Sequence, residues 1–345
     1  MIKEIAEHLS KYSTNLKFSS LSKKTIEEAK KRIIDAVACA FGSLNETSLK
    51  MIENILPKNN LARIISSKIK TSADYAAFYN TYAIRFLDWN DTYLSKEPAH
   101  PSDNIGATLS VGSAYDVSGK DFILATVLAY EIQCGFCDIA SLRARGWDHV
   151  NYILISSSLA SSKLMDLGEE KTKQSINIAL NNLSTRQNRV GKLSHWKAAA
   201  AANACRNGVF AALLAKEGFT GPNEIFEGIY GFQNLVSGKF KFSMKFFRNK
   251  GDFKITETYI KKHNAEYHSQ SAVDACLELR ERIKDISEVK KVVVETHEAG
   301  FNIIGNRKKD PDKWNPKNKE TADHSMPYIV AVALMDGKVT DKQYK

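Results

Sequence analysis

Ile155-Ser-Ser-Ser-Leu-Ala-Ser-Ser162 and Lys197-Ala-Ala-Ala-Ala-Ala-Asn-Ala204 are the two stretches that say most about the fold class. Both are rich in small side chains, which let the backbones of packed helices approach closely. Apolar residues at helical spacing extend outward from them. Helices are predicted around 25–41, 73–87, 104–115, 120–140, 151–165, 170–182 and 197–217. The chain is therefore expected to be mainly α, with a large all-helical domain over residues 1–245.

The pattern changes after Gly238. Lys239-Phe-Lys-Phe-Ser-Met-Lys-Phe246 alternates polar and apolar residues, and Val292-Val-Val-Glu-Thr296 is β-branched, as is typical of strands. A helix is predicted between them, over 271–284. Residues 246–345 are therefore expected to form a smaller α+β domain.

Length and composition are those of an ordinary globular protein, with 345 residues, 43% hydrophobic and 26% charged. No apolar run approaches the roughly 18–20 residues that cross a bilayer, and the N-terminus carries acidic residues where a secretory signal would be apolar. We expect a cytoplasmic protein with no membrane partner.

The net charge of +10, from 49 Lys and Arg against 39 Asp and Glu, permits nucleic acid, acidic lipid or a polyanionic small substrate as partner. The basic residues are scattered in short pairs, and there is no helix-turn-helix, zinc-finger or RNP-type pattern. Nucleic acid is therefore not expected as a partner.

The five cysteines, an odd number, argue against a disulfide framework. Cys134-Gly-Phe-Cys137 has the spacing of a redox pair or half a zinc site, and with Cys205 it could supply three thiolates to an iron–sulfur cluster. The pair also lies in an apolar helical segment, where residues three apart share a buried face. Since no second paired motif completes a site, we expect neither a metal nor a cofactor.

A polar run is too hydrophilic for a core: Arg85-Phe-Leu-Asp-Trp-Asn-Asp-Thr-Tyr-Leu-Ser-Lys-Glu-Pro-Ala-His-Pro-Ser-Asp-Asn-Ile105. It surrounds His100 with three aspartates, and Pro98 and Pro101 fix the backbone on either side of the histidine. The run fits a functional loop, and it also fits a solvated loop rich in turn and helix-cap residues.

Together with motifs elsewhere, this run resembles the MmgE/PrpD family. The motifs are Arg145-Gly-Trp-Asp-His-Val-Asn-Tyr152, Leu193-Ser-His-Trp-Lys-Ala198, Ala202-Asn-Ala-Cys-Arg-Asn-Gly208, Gly218-Phe-Thr-Gly-Pro222, Ile260-Lys-Lys-His-Asn-Ala-Glu-Tyr-His-Ser-Gln270 and Ala322-Asp-His-Ser-Met-Pro-Tyr-Ile329. The resemblance implies a helical domain with a smaller α+β lid domain, usually as a homodimer. Members usually continue beyond the point where this sequence stops, so it also implies that a C-terminal part is missing.

The Gly146-Trp-Asp-His149 motif is more similar to the 2-methylcitrate dehydratase branch of the family than to the cis-aconitate decarboxylase branch. The resemblance implies a metal-independent hydro-lyase that dehydrates 2-methylcitrate or a related tricarboxylate by proton abstraction next to a carboxylate. Glu266 stands where decarboxylases carry a histidine, and an anion there would repel a substrate carboxylate unless protonated. A decarboxylase, a dicarboxylate epimerase and an inactive truncated dimerisation module are the alternatives.

The resemblance also assigns catalytic residues. His149 is the first candidate for proton transfer, because an imidazole titrates near working pH; a structural histidine at a helix start is the alternative. His100 is expected to be the second acid or base, with Asp88 orienting or polarising a partner.

Substrate contacts are assigned in the same way. Thr92 is expected to hydrogen-bond to a substrate carboxylate, and Asp91, one of the three aspartates of the polar run around His100, is expected to bind the substrate as well. Lys197, which opens an alanine-rich helix, and Lys261, from the lid domain, are expected to be catalytic as well, by providing positive charge for the substrate carboxylates. Lys262 could replace Lys261 in that role.

Overall fold

The computed structural model describes residues 4–344, and their backbone is mostly helical. The helices of the first two-thirds are α1 (Ile5–Asn15), α2 (Lys23–Ser43), α3 (Thr47–Glu53), α4 (Ala73–Phe86), α5 (Asp103–Tyr115), α6 (Gly119–Ile139), α7 (Asn151–Leu164), α8 (Glu169–Ala179) and α9 (Trp196–Lys216). They are followed by α10 (Gln270–Arg280), α11 (Glu298–Gly300), α12 (Lys319–Ala322) and α13 (Met326–Asp336). A small antiparallel ribbon joins β1 (Ala62–Arg63) to β2 (Lys70–Thr71). The predicted mainly-α class is confirmed.

The chain forms two compact units. Of the described residues, the first unit contains 4–86, 90–187 and 198–260, and the second contains 87–89, 188–197 and 261–344. The second unit therefore combines the tail of the chain with two short segments from much earlier in the sequence. Asp88 and Lys197 lie on those two segments and belong to the same unit as Lys261.

Small residues in the first unit bring helices together as the sequence predicts. The serines at 156–158, 161 and 162 in α7 and the alanines at 200–202 in α9 are fully buried. Gly208 of α9 lies so close to α7 that a Cβ built on it would be 1.9 Å from Ser157 Oγ. A side chain at this position would therefore force the Ser157 hydroxyl to move and would crowd the α7 backbone.

Gly106 makes a similar close approach between α5 and α4, next to the polar loop. A Cβ on Gly106 would lie 2.5 Å from Thr81 N and 2.8 Å from Thr81 Cα. We expect Gly106→Ala to lower the free energy of unfolding by about 1–3 kcal/mol, because backbone atoms cannot move aside as a flexible side chain can. Urea unfolding measures this change. Gly119→Ala is the control, since nothing lies within 4 Å of its added Cβ; equal stability of the two variants would contradict the prediction.

The two predicted strands after Gly238 do not form. The first segment is irregular, with a short 3₁₀ turn at Met244–Phe246, and Phe240, Phe242 and Phe246 pack against the core of the first unit. Its alternation reflects one-sided burial of an irregular chain. Val292, Val293 and Val294 are 47%, 67% and 37% exposed and have no strand beside them. Since a strand requires a hydrogen-bonded neighbour, β-branched residues alone do not make one, and the described part of the second unit is helical with irregular connections. The predicted α+β lid is not confirmed.

Helix α6 corrects the expectation that no apolar run is long enough to cross a bilayer. Among the described residues it is the helix whose length and composition would allow it to cross a membrane, and 83% of its most apolar window is buried inside the protein. It also carries Cys134 and Cys137, which, like the other three cysteines, are buried and not joined in disulfides. Burial raises the pKa of both thiols well above its usual value, so they are protonated.

Glu131 of α6 is a buried carboxylate that holds the segment following residue 246. Its two oxygens accept hydrogen bonds from the backbone N–H groups of Arg248 (2.7 Å) and Lys254 (2.8 Å). Burial raises its pKa from 4.5 to about 7, although the two backbone donors oppose the shift. The folded protein therefore binds this proton more tightly than the unfolded chain does.

This shift sets the sign of a pH dependence. Between pH 4.5 and about 7 the folded state binds more protons at Glu131, so its contribution to stability is fully present at low pH and is lost as pH rises. We expect Glu131→Gln to remove that dependence and to cost about 1–3 kcal/mol, because its amide N–H₂ opposes one backbone donor. Urea unfolding across this pH range tests it. Exposed Glu217→Gln should keep the wild-type slope, and an unchanged slope in the Glu131 variant would overturn the assignment.

Candidate active site

The polar loop between α4 and α5 is held by its own hydrogen bonds. The side-chain amide of Asn90 donates to Ser102 Oγ and to Asp103 Oδ1, both at 2.9 Å. Tyr93 and Ala99 exchange backbone hydrogen bonds of 2.8 and 3.0 Å across the loop. Backbone bonds in both directions also join Thr92 to Tyr259. Residues 90–102 of this loop are therefore held in place by hydrogen bonds within the first unit, whereas residues 87–89 belong to the second unit.

Asp91 is fully buried and takes part in this construction. Its Oδ1 accepts from the backbone N–H of Ser102 at 3.0 Å, and its Oδ2 lies 3.8 Å from Arg32 Nε. The carboxylate thus has partners within the loop and its surroundings. Substrate binding by Asp91 stays a prediction.

The hydrogen bonds of His100 define its tautomer. Nδ1 lies 2.8 Å from the backbone oxygen of Asp91 and 3.3 Å from Thr92 Oγ1. A carbonyl oxygen can only accept, so Nδ1 carries the hydrogen. In the neutral ring Nε2 then has the lone pair and can take a proton.

The Nδ1 atom of His149 faces a carboxylate, where Nδ1 of His100 faces a backbone oxygen. His149 lies just before α7, and its Nδ1 is 3.1 Å from Oδ1 of Asp148. Asp148 is buried, and the backbone N–H of Val150 also donates to its Oδ1 at 3.3 Å. An acidic partner on Nδ1 orients the ring, directs Nε2 away from it, and stabilises the protonated form.

The two imidazoles lie close together in the first unit. Their ring centroids are 5.7 Å apart and the planes meet at 64°. We call His100, His149, Asp91, Thr92 and Asp148 the histidine cluster. It offers two titratable rings, each oriented through Nδ1, within the dimensions of one small substrate. Such a pair can provide a base and an acid for one reaction.

A second group of functional side chains lies within the second unit. Asp88 has a backbone φ of +52°, in the left-handed region that aspartate adopts more readily than most residues. The ammonium of Lys261 donates to the backbone oxygen of Asp88, and its Nζ is also 3.6 Å from Asp88 Oδ1. Both side chains are buried. The left-handed turn thus presents both the carbonyl and the carboxylate of Asp88 to one lysine.

Lys197 lies in the same group, at the start of α9. Its ammonium donates to Asp323 Oδ1 at 2.7 Å, to the backbone oxygen of Glu320 at 3.2 Å and towards His324 Nδ1 at 2.9 Å. The other ring nitrogen of His324 is 3.3 Å from Asp88 Oδ2. We call Asp88, Lys197, Lys261, Asp323 and His324 the lysine–aspartate cluster.

The electrostatics of this cluster favour ionised Asp323 and neutral His324. Burial alone would raise the pKa of Asp323, but the charges of Lys197 and Lys319 oppose it, and the pKa is held well below its usual value. Burial and the charge of Lys197 together lower the pKa of His324 well below 6.5.

Glu266, in the same unit, has the opposite shift. Burial raises its pKa to about 6, against the opposing effect of Lys261. Glu266 therefore carries a proton below about pH 6 and loses it above. The sequence predicts that Glu266 repels a substrate carboxylate. Only the deprotonated form, present above about pH 6, would do so.

One triad among the described residues has metal-ligand geometry. Asp88, Asp323 and His324 each offer a ligand atom, and these atoms lie within 4.8 Å of one another. The ammonium of Lys197 hydrogen-bonds to two of the three residues. The positive charge that a metal ion would bring to this point is thus already supplied by a side chain.

The structure separates Lys261 from Lys262. Lys262 is 73% exposed in its side chain and pairs with Asp274 at the surface, whereas Lys261 is buried beside Asp88. Of the predicted residues, His149, His100, Thr92 and Asp91 come together in the first unit, and Asp88, Lys197 and Lys261 come together in the second.

Sequence reasoning missed Asp323 and His324 as site residues. They stand between two helix N-caps, Asn318 for α12 and Ser325 for α13, each accepting a backbone N–H. The sequence signal that could have predicted them is an Asp-His pair directly between two capped helices. Its significance depends on Lys197, 126 residues earlier in the chain.

Comparison with known proteins supplies the family. The MmgE/PrpD N-terminal domain matches residues 7–245, and the MmgE/PrpD C-terminal domain matches residues 263–345. A 2-methylcitrate dehydratase of Escherichia coli K12 is 30% identical, over 97% of this chain and 72% of its own length. A mitochondrial 2-methylcitrate dehydratase of Yarrowia lipolytica is 27% identical, over 100% and 68%. A fungal alkylcitrate dehydratase is 28% identical, over 97% and 69%.

Both domains of the family are thus matched in order, and similarity to these relatives extends along nearly the whole chain. The chain belongs to the MmgE/PrpD family.

Proposed function

We propose that this protein is a carbon–oxygen lyase that dehydrates 2-methylcitrate or a related tricarboxylate. The observation that carries the proposal is the histidine cluster, in which two oriented imidazoles lie 5.7 Å apart. Dehydratases of citrate-like acids among the relatives support the same reaction type.

The reaction needs one base and one acid. The base removes a proton from the carbon next to a carboxylate, and its electron pair forms the carbon–carbon double bond. The hydroxyl on the neighbouring carbon leaves with the carbon–oxygen bonding pair and takes a proton from the acid, giving water. We assign proton transfer to His149, oriented by Asp148, and to His100, held by the backbone of Asp91.

Positive charge stabilises the carboxylate next to the forming carbanion and binds the other carboxylates. We assign this role to Lys197 and Lys261, with Asp88 orienting Lys261. Thr92 contributes a hydroxyl for hydrogen bonding. Lys262, being exposed and paired with Asp274, is not part of the proposed mechanism.

We further propose that the reaction proceeds without a metal ion, because the lysines supply the electrophilic charge. Dialysis against a chelator should leave the rate unchanged. Loss of activity that added divalent metal restores would overturn metal independence.

A homodimer in the cytoplasm is the proposed working state. Light scattering of the purified chain tests the dimer.

The deciding experiment incubates the chain with a panel of citrate-like acids and follows the absorbance of the unsaturated product. NMR of the products identifies the reaction. A double bond formed with loss of water supports the dehydratase, while loss of carbon dioxide or inversion of a stereocentre would replace it with a decarboxylase or an epimerase. No product and no binding from any acid would leave the dimerisation-module alternative.

A further inference from the structure

His324 lies between two charged groups that the proposed mechanism uses. Its Nδ1 is 2.9 Å from Lys197 Nζ, and its Nε2 is 3.3 Å from Asp88 Oδ2. Its side chain is 18% exposed, and that of Asp88 is 2% exposed. One imidazole thus joins two segments, around residues 88 and 197, that are more than a hundred positions apart in sequence.

The donors and acceptors around the ring favour one tautomer. An ammonium can only donate, so Nδ1 facing Lys197 should carry a lone pair, and the hydrogen on Nε2 then lies on the side of the Asp88 carboxylate, 3.3 Å away. A hydrogen on Nδ1 would point at Asp323 Oδ1, 2.7 Å away, but it would also lie beside the ammonium. Because Lys197 already pairs with that same oxygen at 2.7 Å, it bridges the carboxylate and Nδ1 and offsets their repulsion.

A doubly protonated ring is disfavoured for a related reason. It would place a second positive charge 2.9 Å from Lys197 Nζ in buried surroundings. Lys313 adds further positive charge near the ring, while Asp88 and Asp323 oppose it. The lowered pKa of His324 agrees with a neutral ring.

We propose that His324 is a positioning residue that fixes Lys197 and Asp88 as a neutral Nε2–H imidazole, accepting from the ammonium through Nδ1 and facing the Asp88 carboxylate with its N–H at 3.3 Å. Its part in catalysis rests on the proposed function. His324 does not transfer the substrate proton; it sets the direction of the two charges that bind and polarise the substrate. Asp323 completes the arrangement, since its Oδ1 accepts from the same ammonium and lies 2.7 Å from both Lys197 Nζ and His324 Nδ1.

Kinetics of two His324 variants test the role. His324→Asn keeps an acceptor near the position of Nδ1 but cannot reach Asp88, and His324→Phe removes both contacts. We expect kcat to fall about 10–100-fold in each, since small displacements of positioned groups have effects of this size. KM should change less than about threefold for an effect confined to the transition state. His297→Asn, at an exposed helix cap in the same unit, should keep wild-type kcat.

A merely structural histidine would give a different result. Its variants would have a lower melting temperature, but the folded fraction would turn over at the wild-type rate. Wild-type kcat in folded His324→Asn would overturn the proposal.

NMR of histidine nitrogens provides a test that needs no substrate. In the chain labelled with ¹⁵N-histidine, one of the eight histidine signals should disappear in His324→Asn. In the wild type that signal should show the neutral Nε2–H tautomer from about pH 6 to 8, where an ordinary histidine titrates. An Nδ1–H tautomer or an imidazolium would overturn the proposal.

The kinetic and NMR experiments also distinguish failure of the proposed function from failure of the proposal for His324. If no acid is turned over by the wild type, the proposed function fails and the catalytic role of His324 fails with it. The NMR result then still decides whether the Lys197–His324–Asp88 contact exists.

Discussion

His149→Asn should lower kcat for dehydration about 10²–10⁴-fold, the range for losing a positioned acid or base. The asparagine amide can still donate to Asp148, which lies 3.1 Å from His149 Nδ1, so the surrounding structure should persist. What disappears is the titrating Nε2. The rate constant at saturating substrate and its pH profile measure the effect, and the pH limb that belongs to His149 should vanish in the variant.

His8→Asn is the matched control. His8 lies in α1 of the same unit, and its ring lies beside that of Phe242, which is not part of the histidine cluster. It should retain the wild-type rate and pH profile. A His149 variant that is folded and equally active would remove this residue from the mechanism and leave His100 as the candidate for both proton transfers.

Lys197→Met is expected to have the largest effect on stability. The side chains of Lys197 and Asp323 are 5% and 1% exposed, and their charged atoms are 2.7 Å apart. Removing one partner of a buried ion pair leaves the other charge uncompensated, at a cost of about 3–5 kcal/mol. The remaining partner Lys319, 3.3 Å from Asp323 Oδ2, should reduce this cost without removing it. Urea or thermal unfolding measures the loss.

The pH dependence of the pair has a definite sign. The pKa of folded Asp323 is held below its ordinary value of 3.8, so its contribution to stability is present above pH 3.8 and is lost as the pH falls through the folded pKa. In Lys197→Met that pKa should rise, because the largest opposing charge is gone. The stability difference between the two proteins should therefore shrink at acidic pH.

A second substitution separates stability from catalysis. Asp323→Asn in the Lys197→Met background removes the uncompensated carboxylate, and it should recover part of the lost stability. It should not recover activity, because the ammonium proposed to bind the substrate is still missing. Recovery of both would mean that Lys197 is purely structural. Lys192→Met, at an exposed position in the same segment, should behave as wild type in both assays.

Helix positions and the helical class followed from sequence because they depend on local periodicity and side-chain size. The predicted segment 151–165 is α7 at Asn151–Leu164, and the predicted 197–217 is α9 at Trp196–Lys216. The strands predicted at 239–246 and 292–296 failed for a non-local reason. A β-ladder requires a second chain segment at its side, and neither stretch has one among the described residues.

The site residues also divide into those that the sequence motifs predicted and those that only the fold revealed. The motifs pointed to His149, His100 and Lys197, but their hydrogen-bond partners did not follow from the motifs. Asp323 and His324 became visible only when the fold brought them to Lys197. Neighbouring Lys261 and Lys262 look equivalent in sequence, yet one is buried against Asp88 and the other is at the surface.

By itself, the sequence determined most of the long helices, where small residues let helices touch, and the resemblance to a family; it did not predict α1, α3 or α13. The tertiary structure decided which charges are paired, which ring nitrogen carries hydrogen, and which lysine is buried. The physical reason is range: helix formation depends on residues three or four positions apart. Ionisation and hydrogen bonding depend instead on whatever the folded chain brings within about 3–4 Å.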